Sequence, residues 1–238
     1  DGEPIGSLLR FERQRPGSIM VNRHGQRFAN EAQNYNELAR CLQSWDSPNN
    51  QTLNTPAHVV FDQSYLDRYG ILDHRSGQPT PDYLIEAATL EELAAKLNVP
   101  AGNLTATVER FNQMALKGVD EDFGRGDSEY DRYWGDADSP WPNPSLGPLQ
   151  QGPFYAMEVV NGAFGTCGGI ATDGNAQVID VDGNPIPGLF AAGNASESPY
   201  ASGYPGAGAT LGPLMTMAYQ AGRTIAATVR VPAESHAS

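Results

Sequence analysis

The chain has 238 residues, a net charge of −13 and only two lysines, Lys96 and Lys117. That balance disfavours a nucleic-acid or anionic-membrane surface, since both want clustered Lys and Arg, and no apolar run reaches the about 18–20 residues of a membrane span. The length fits one large domain or two small ones.

The N-terminal stretch "DGEPIGSLLRFERQRPGS" has no charged-then-apolar signal pattern. "SIMVNRHGQRFAN" reads as a strand, a turn at His24-Gly25 and a second strand, because Gly tolerates the positive φ of a hairpin turn. "HVVFD" (58–62) reads as a short buried strand. "DYLIEAATLEELAAKLNV" changes period midway. After an extended part, Thr89 and Glu92 make a capping box, and Leu90, Leu93, Ala94 and Leu97 share one helical face. Asn103 is placed to cap a second helix, "LTATVERFNQMALKG", closed by Gly118. From about 118 to 153 the chain is rich in Pro, Gly, Asp and Trp without a sustained period, and reads as a long ordered loop.

The C-terminal third has a different texture. "GGIATDGNAQVIDVDGNPIPGLFAAGN" carries β-type runs punctuated by Asp-Gly at 173–174 and 182–183, a hairpin signal. "GLFAAGN" (188–194) is small, apolar and uncharged, as a strand buried on both faces would be. It leads into "ASGYPGAGATLGPLMTMAYQAGR", a glycine-rich loop opening onto a helix. Pro213 fits that helix's first turn, and its residues leave so little polar face that burial is expected. A glycine loop at a helix N-terminus exposes backbone N–H groups with partial positive charge. It suits a phosphate, a carbonyl oxygen or a developing anion; a tight turn whose glycines meet steric needs is the alternative. The loop lacks a phosphate-loop lysine, and G-x-G-x-x-G appears nowhere.

Metal sites and paired cysteines find little support. The histidines His24, His58, His74 and His236 are scattered without a second ligand at metal spacing. "DEDFGRGDSEYD" lacks the register of a calcium loop and reads as a solvated acidic loop. Cys41 and Cys167 form no CxxC and read as free thiols of a reducing, cytoplasmic compartment, one long-range disulfide being the alternative.

Longer motifs carry a resemblance running nearly end to end: "ERQRPGSIMVNRHGQRFANEAQNY", "VVFDQSYLDRY", "GVDEDFGRGDSEYDRYWGD", "GPFYAMEV", "TCGGIATDGNAQVID", "IPGLFAAGN" and "YPGAGATLGP". The chain resembles the C-terminal half of the fumarate reductase/succinate dehydrogenase-like flavoproteins and, within them, the 3-oxosteroid 1-dehydrogenases. The resemblance implies an α+β fold. Residues 1–165 would form the cap, or substrate, domain, and 166–238 the C-terminal part of a Rossmann-like FAD domain. The dinucleotide-binding half, which precedes the cap in the family, would be absent, so the chain would be a fragment that alone binds FAD weakly or not at all. The implied reaction dehydrogenates C1–C2 of a 3-oxosteroid and hands the electrons on to an acceptor. Tyr204 and the N–H of Gly208 match the positions that polarise the C3 carbonyl, and Tyr35, after Arg27-Phe28-Ala29-Asn30-Glu31, matches the base that takes the C2 proton. A second tyrosine, from the N-terminal half, assists that base in the family. Gly193 and Asn194 would lie near the flavin ring, with the backbone of Ala209, Thr210 and Leu211 at its N1–C2=O edge. Phe11 matches a substrate-pocket position, with core packing as its alternative. No arginine follows Tyr35 before Arg40 and "FGTCGG" has no histidine, which argues against a dicarboxylate and for a neutral, apolar carbonyl compound. Another ene-type flavin oxidoreductase and a redox-inactive binding module derived from the cap are the competing functions.

Overall fold

The computed structural model describes residues 9, 11–163, 165–166 and 168–228, and the chain divides into two compact units, 1–162 and 163–238. Cys167 and His236 lie outside the described residues; Cys41 is a free, half-buried thiol. The secondary structure is mixed, helices alternating with antiparallel strands, which makes the fold α+β.

The first unit runs β1 (Ser18–Val21), α1 (Tyr35–Leu42), a short ribbon of β2 (Trp45–Asp46) and β3 (Gln51–Thr52), β4 (Ala57–Asp62), α2 (Gln63–Tyr69), β5 (Ile85–Ala87), α3 (Leu90–Leu97), α4 (Ala101–Lys117), α5 (Glu129–Trp134) and β6 (Phe154–Val159). Its main sheet has the order β1-β4-β6-β5, all neighbours antiparallel, with Met20 opposite Val59 and Val59 opposite Met157. Successive side chains point to opposite faces. Ile19, Val21, Val60 and Ala156 meet Leu93 and Leu97 of α3 and Leu104, Val108 and Phe111 of α4. Met20, Val59, Phe61, Tyr155 and Met157 meet Leu38 and Leu42 of α1 and Tyr65 and Leu66 of α2. Helices on both faces explain why β1 and β4 are buried throughout and why "HVVFD" shows no polar alternation.

Local signals act through identifiable bonds. The Thr89 hydroxyl accepts the Glu92 amide at 3.2 Å, and the Glu92 carboxylate takes the Ala88 amide at 3.0 Å, a capping box with its return arm displaced by one residue. Gly118 closes α4 at φ 78°, and a Cβ there would stand 2.8 Å from the Pro142 side chain.

Three first-unit expectations are corrected. The strand after His24-Gly25 does not form. The Asn22 carboxamide instead takes the amides of His24 and Gln26, while the carbonyls of His24 and Gly25 accept from Asn103 (2.9 Å) and Thr107 (2.8 Å) on α4. Asn103 therefore sits inside α4, which starts after Pro100 without a side-chain cap. The stretch 118–153 contains α5, capped by Ser128, whose side chain accepts the Asp131 amide at 3.1 Å. Within it, 120–131 is solvated only in part: residues 121–123 and 127–130 are exposed, but Asp120, Arg125 and Asp131 are buried.

The second unit has a hairpin of β7 (Gln177–Ile179) and β8 (Pro185–Phe190), a 3-10 turn at Gly193–Ala195, and α6 (Leu211–Thr228). Both Asp-Gly signals make turns: Asp173 Oδ1 takes the amides of Asn175 and Gln177, and Asp180 Oδ1 those of Asp182 and Asn184. Two burial expectations fail here. "GLFAAGN" is not a doubly buried strand: β8 ends at Phe190, its residues 185–189 are exposed, and Gly193–Ala195 is the 3-10 turn. No described residue of α6 is buried, and Leu211, Met215 and Tyr219 expose 62%, 66% and 66% of their surface. Among the described residues β7 is the sole hydrogen-bonded neighbour of β8. No helix among the described residues is long and apolar enough to cross a membrane.

Candidate functional site

The second unit contains a cleft of about 940 Å³ at the N-terminus of α6. The chain enters α6 through tight backbone contacts: the Ala209 amide bonds Gly206 O at 3.2 Å, Gly212 bonds Gly208 O at 2.9 Å and Leu214 bonds Thr210 O at 3.2 Å. The amides of Gly208, Thr210 and Leu211 are left without an acceptor among the described residues, as the first turn of a helix requires. Gly206 and Gly208 stand at φ 129° and 91°, where side chains are disfavoured, and a Cβ on either would meet nothing within 4 Å. The backbone thus lies bare beside the cleft. Across it, Gly193 touches the helix: a Cβ there would stand 2.7 Å from Leu214 Cδ1.

Gly193, Asn194, Tyr204, Gly208, Ala209 and Thr210 line this one cleft. Leu211 does not line it, though its amide is free. Chemically, the site offers a phenol, several backbone donors and a helix dipole to an electron-rich partner.

Tyr35 belongs to the first unit, where it is the first residue of α1 and half-buried. The Asn34 side chain caps that helix by accepting the Asn36 amide at 2.9 Å. Phe11 is 37% exposed, its ring centroid 5.0 Å from that of Trp134 on α5.

Sequence reasoning missed a buried charged group built on Arg27 and Glu31, a few residues before Tyr35. Arg27 bonds Glu31 (2.8 Å) and Asp120 (2.8 Å), and Arg125 reaches Glu31 at 3.2 Å, all with side chains at most 4% exposed. Burial would raise the Glu31 carboxyl, but the guanidinium groups of Arg27 and Arg125 and the Met20 amide hold it below its ordinary value. Asp120 is likewise held down, against its own burial, by Arg27 and by backbone amides. Asp131 binds the Asn30 carboxamide at 2.8 Å. The Arg27/Glu31 spacing was visible in the sequence; their partners near position 120 were not.

A helix N-terminus beside a glycine-lined cleft is suited to an anionic or carbonyl-bearing ligand held on backbone amides. The comparisons give the family. The FAD binding domain family matches residues 1–211. The chain is 80% identical, over 95% of its length, to the 4-oxocyclohexanecarboxylate 2-dehydrogenase of Sinomonas cyclohexanicum. It is 46% identical, over 91% of its length, to a 3-oxosteroid 1-dehydrogenase of Mycolicibacterium smegmatis. Among solved structures it superposes on the 3-ketosteroid Δ1-dehydrogenase of Sterolibacterium denitrificans, in complex with 1,4-androstadiene-3,17-dione, with a TM-score of 0.84 at 39% identity, covering 93% of this chain and 40% of that one. The chain belongs to the FAD binding domain family, and FAD is its cofactor. It spans 39% of the length of both curated relatives. The lining suits an edge of FAD: the Thr210 amide, without an acceptor among the described residues, could donate to ring oxygen or nitrogen, and the bare glycines leave room for a flat group.

Proposed function

We propose that the whole protein is an FAD-dependent dehydrogenase. It removes hydrogen from the carbons α and β to a ring ketone, and the ketone is an oxocyclohexanecarboxylate. The observation that carries the reaction class is the cleft at α6, lined by both Tyr204 and the free amide of Gly208. The 80% identity to a 4-oxocyclohexanecarboxylate dehydrogenase, against 46% to a 3-oxosteroid enzyme, supports the smaller substrate over the steroid. The departures from the dicarboxylate pattern around Tyr35 and in "FGTCGG" disfavour two carboxylates and leave room for a substrate with one, remote from the ketone.

In this reading Tyr204 O–H and Gly208 N–H donate to the ketone oxygen, which acidifies the α proton. Each such donor contributes about 3–4 kcal/mol to the transition state. Tyr35 takes that proton. A phenol of ordinary pKa near ~10 is a poor base at neutral pH unless its anion is stabilised, a task for groups outside these residues. FAD, when bound, supplies the acceptor for the two electrons leaving with the β hydrogen. Gly193 and Asn194 would hold it, with the backbone of Ala209, Thr210 and Leu211 at the N-terminus of α6, where the helix dipole favours negative charge. In domain terms the first unit is the cap and the second is part of the FAD domain, completed by a dinucleotide-binding half beyond this chain.

The test uses the full-length, FAD-loaded protein with an artificial electron acceptor. Turnover of 4-oxocyclohexanecarboxylate, with the new double bond next to the ketone, is expected. Turnover of a 3-oxosteroid alone would install the second reading, steroid C1–C2 dehydrogenation, which the 0.84 superposition favours. Turnover of neither, with no FAD retained, would leave a cap-derived binding module.

A further inference from the structure

We propose that Arg13 and Gln14 are positioning residues that aim Tyr35, by holding three successive carbonyl groups of the strap leading into α1. The inference rests on Tyr35 being the base. Arg13 Nη1 donates to the carbonyls of Glu31 and, at 2.8 Å, of Gln33. Gln14 Nε2 donates to the carbonyl between them, Ala32, at 2.9 Å. The opposite polarity is also engaged: Asn30 Oδ1 accepts the Ala32 amide at 2.8 Å, and Asn30 O the Gln33 amide at 3.2 Å. Residues 31 to 33 therefore have their carbonyls fixed by two adjacent side chains, and the next residue, Asn34, caps the helix that Tyr35 begins.

The geometry is unusual in what it spends. Arg13 and Gln14 are each 3% exposed, and no carboxylate oxygen lies within salt-bridge distance of Arg13 among the described residues. Burial lowers the Arg13 guanidinium to about 10, yet it stays charged at neutral pH. A buried cation satisfied by carbonyl oxygens is costly, and a neutral donor would hold a loop as well if stability were the sole demand. Here a single charged nitrogen, Nη1, takes both carbonyls, two residues apart, and ties them to one point. Arg27, Arg125 and the Met20 amide pin the Glu31 carboxylate from the other side. The strap has no slack, so α1 starts at a defined point.

The experiment compares Arg13→Met, Arg13→Lys, Gln14→Met and Tyr35→Phe in full-length, FAD-loaded protein. Two measurements are made: steady-state turnover of 4-oxocyclohexanecarboxylate, and exchange of its α protons with D₂O followed by NMR. Arg13→Met and Gln14→Met are expected to lower kcat and the exchange rate together, by roughly 10–100-fold, the scale of a misplaced catalytic group. KM and flavin content should stay unchanged, and Arg13→Lys should recover most of the loss. If Arg13→Met does not fold, Gln14→Met carries the comparison alone. Parental exchange in a folded Gln14→Met or Arg13→Met, with Tyr35→Phe silent, overturns the positioning role and leaves the proposed function standing. Parental exchange in Tyr35→Phe removes Tyr35 as the base and the positioning role with it, while turnover still decides the proposed reaction.

Discussion

Two residues carry the sharpest tests. Tyr204→Phe removes a donor without opening a cavity, so kcat is expected to fall roughly 10²–10³-fold while the flavin absorbance of the purified full-length protein is kept. Near-parental turnover would take Tyr204 out of the mechanism. Glu31→Gln addresses stability. It leaves Arg125 buried without its carboxylate and Arg27 with Asp120 alone, and breaking a buried pair in this way costs about 3–5 kcal/mol. Glu31 and Asp120 both have lowered folded-state pKa values. Their stabilisation is therefore complete above the ordinary carboxyl values of 4.5 and 3.8, and is lost as pH falls through the depressed ones. Urea midpoints measured down the acid limb should drop steeply for the parent and more shallowly for Glu31→Gln; parallel limbs would refute the assignment. The sequence made Tyr204 and Gly208 conspicuous because a phenol and bare backbone stood together at a helix entrance. It hid Asp120 because that partner of Arg27 is 93 positions away, and charge spacing along a chain carries no information across such a gap.

At the scale of elements, what the sequence could state depended on whether a signal was local. Thr89 with Glu92 and Gly118 at the end of α4 act within a turn of chain, and the structure has both. The strand after Gly25 fails because the turn docks on α4, whose Asn103 and Thr107 side chains donate to the carbonyls of His24 and Gly25. Asn103 is no cap because α4 has already started after Pro100. Gly25 and Gly77 separate the two influences on a turn. Both have positive φ, 70° and 83°, but a Cβ on Gly25 would stand 3.1 Å from the Leu104 amide nitrogen, whereas Gly77 has nothing within 4 Å. Gly77→Ala should cost about 1 kcal/mol from backbone strain alone. Gly25→Ala should cost clearly more, and equal urea midpoints for the two would refute the docking. The apolar helix α6 shows the reverse error: its composition was read correctly, and its burial was a property of surroundings that the composition does not specify.

For the molecule as a whole, the α+β class and the FAD family were readable because long motifs survive intact, "YPGAGATLGP" above all. The substrate was not. The motifs describe the machinery acting on a ketone and its neighbouring carbons, and one ring or four fused rings present the same reacting unit. Holding FAD is a property of more surface than one cleft in the second unit offers, since exposed amides at a helix N-terminus contribute only a fraction of a dinucleotide's contacts. We expect the isolated chain to lose FAD on gel filtration and the full-length protein to retain it. Stoichiometric flavin on the isolated chain would refute a dinucleotide-binding half elsewhere.

The four charges at 27, 31, 120 and 125 also constrain how such a protein can drift. Two cations and two anions cancel inside the first unit, so replacing any one leaves a stranded charge in a medium that cannot hydrate it. Single replacements there are costly, and exchanging an oppositely charged pair together leaves no charge stranded, so the stretches around 27–31 and 120–125 are expected to change together.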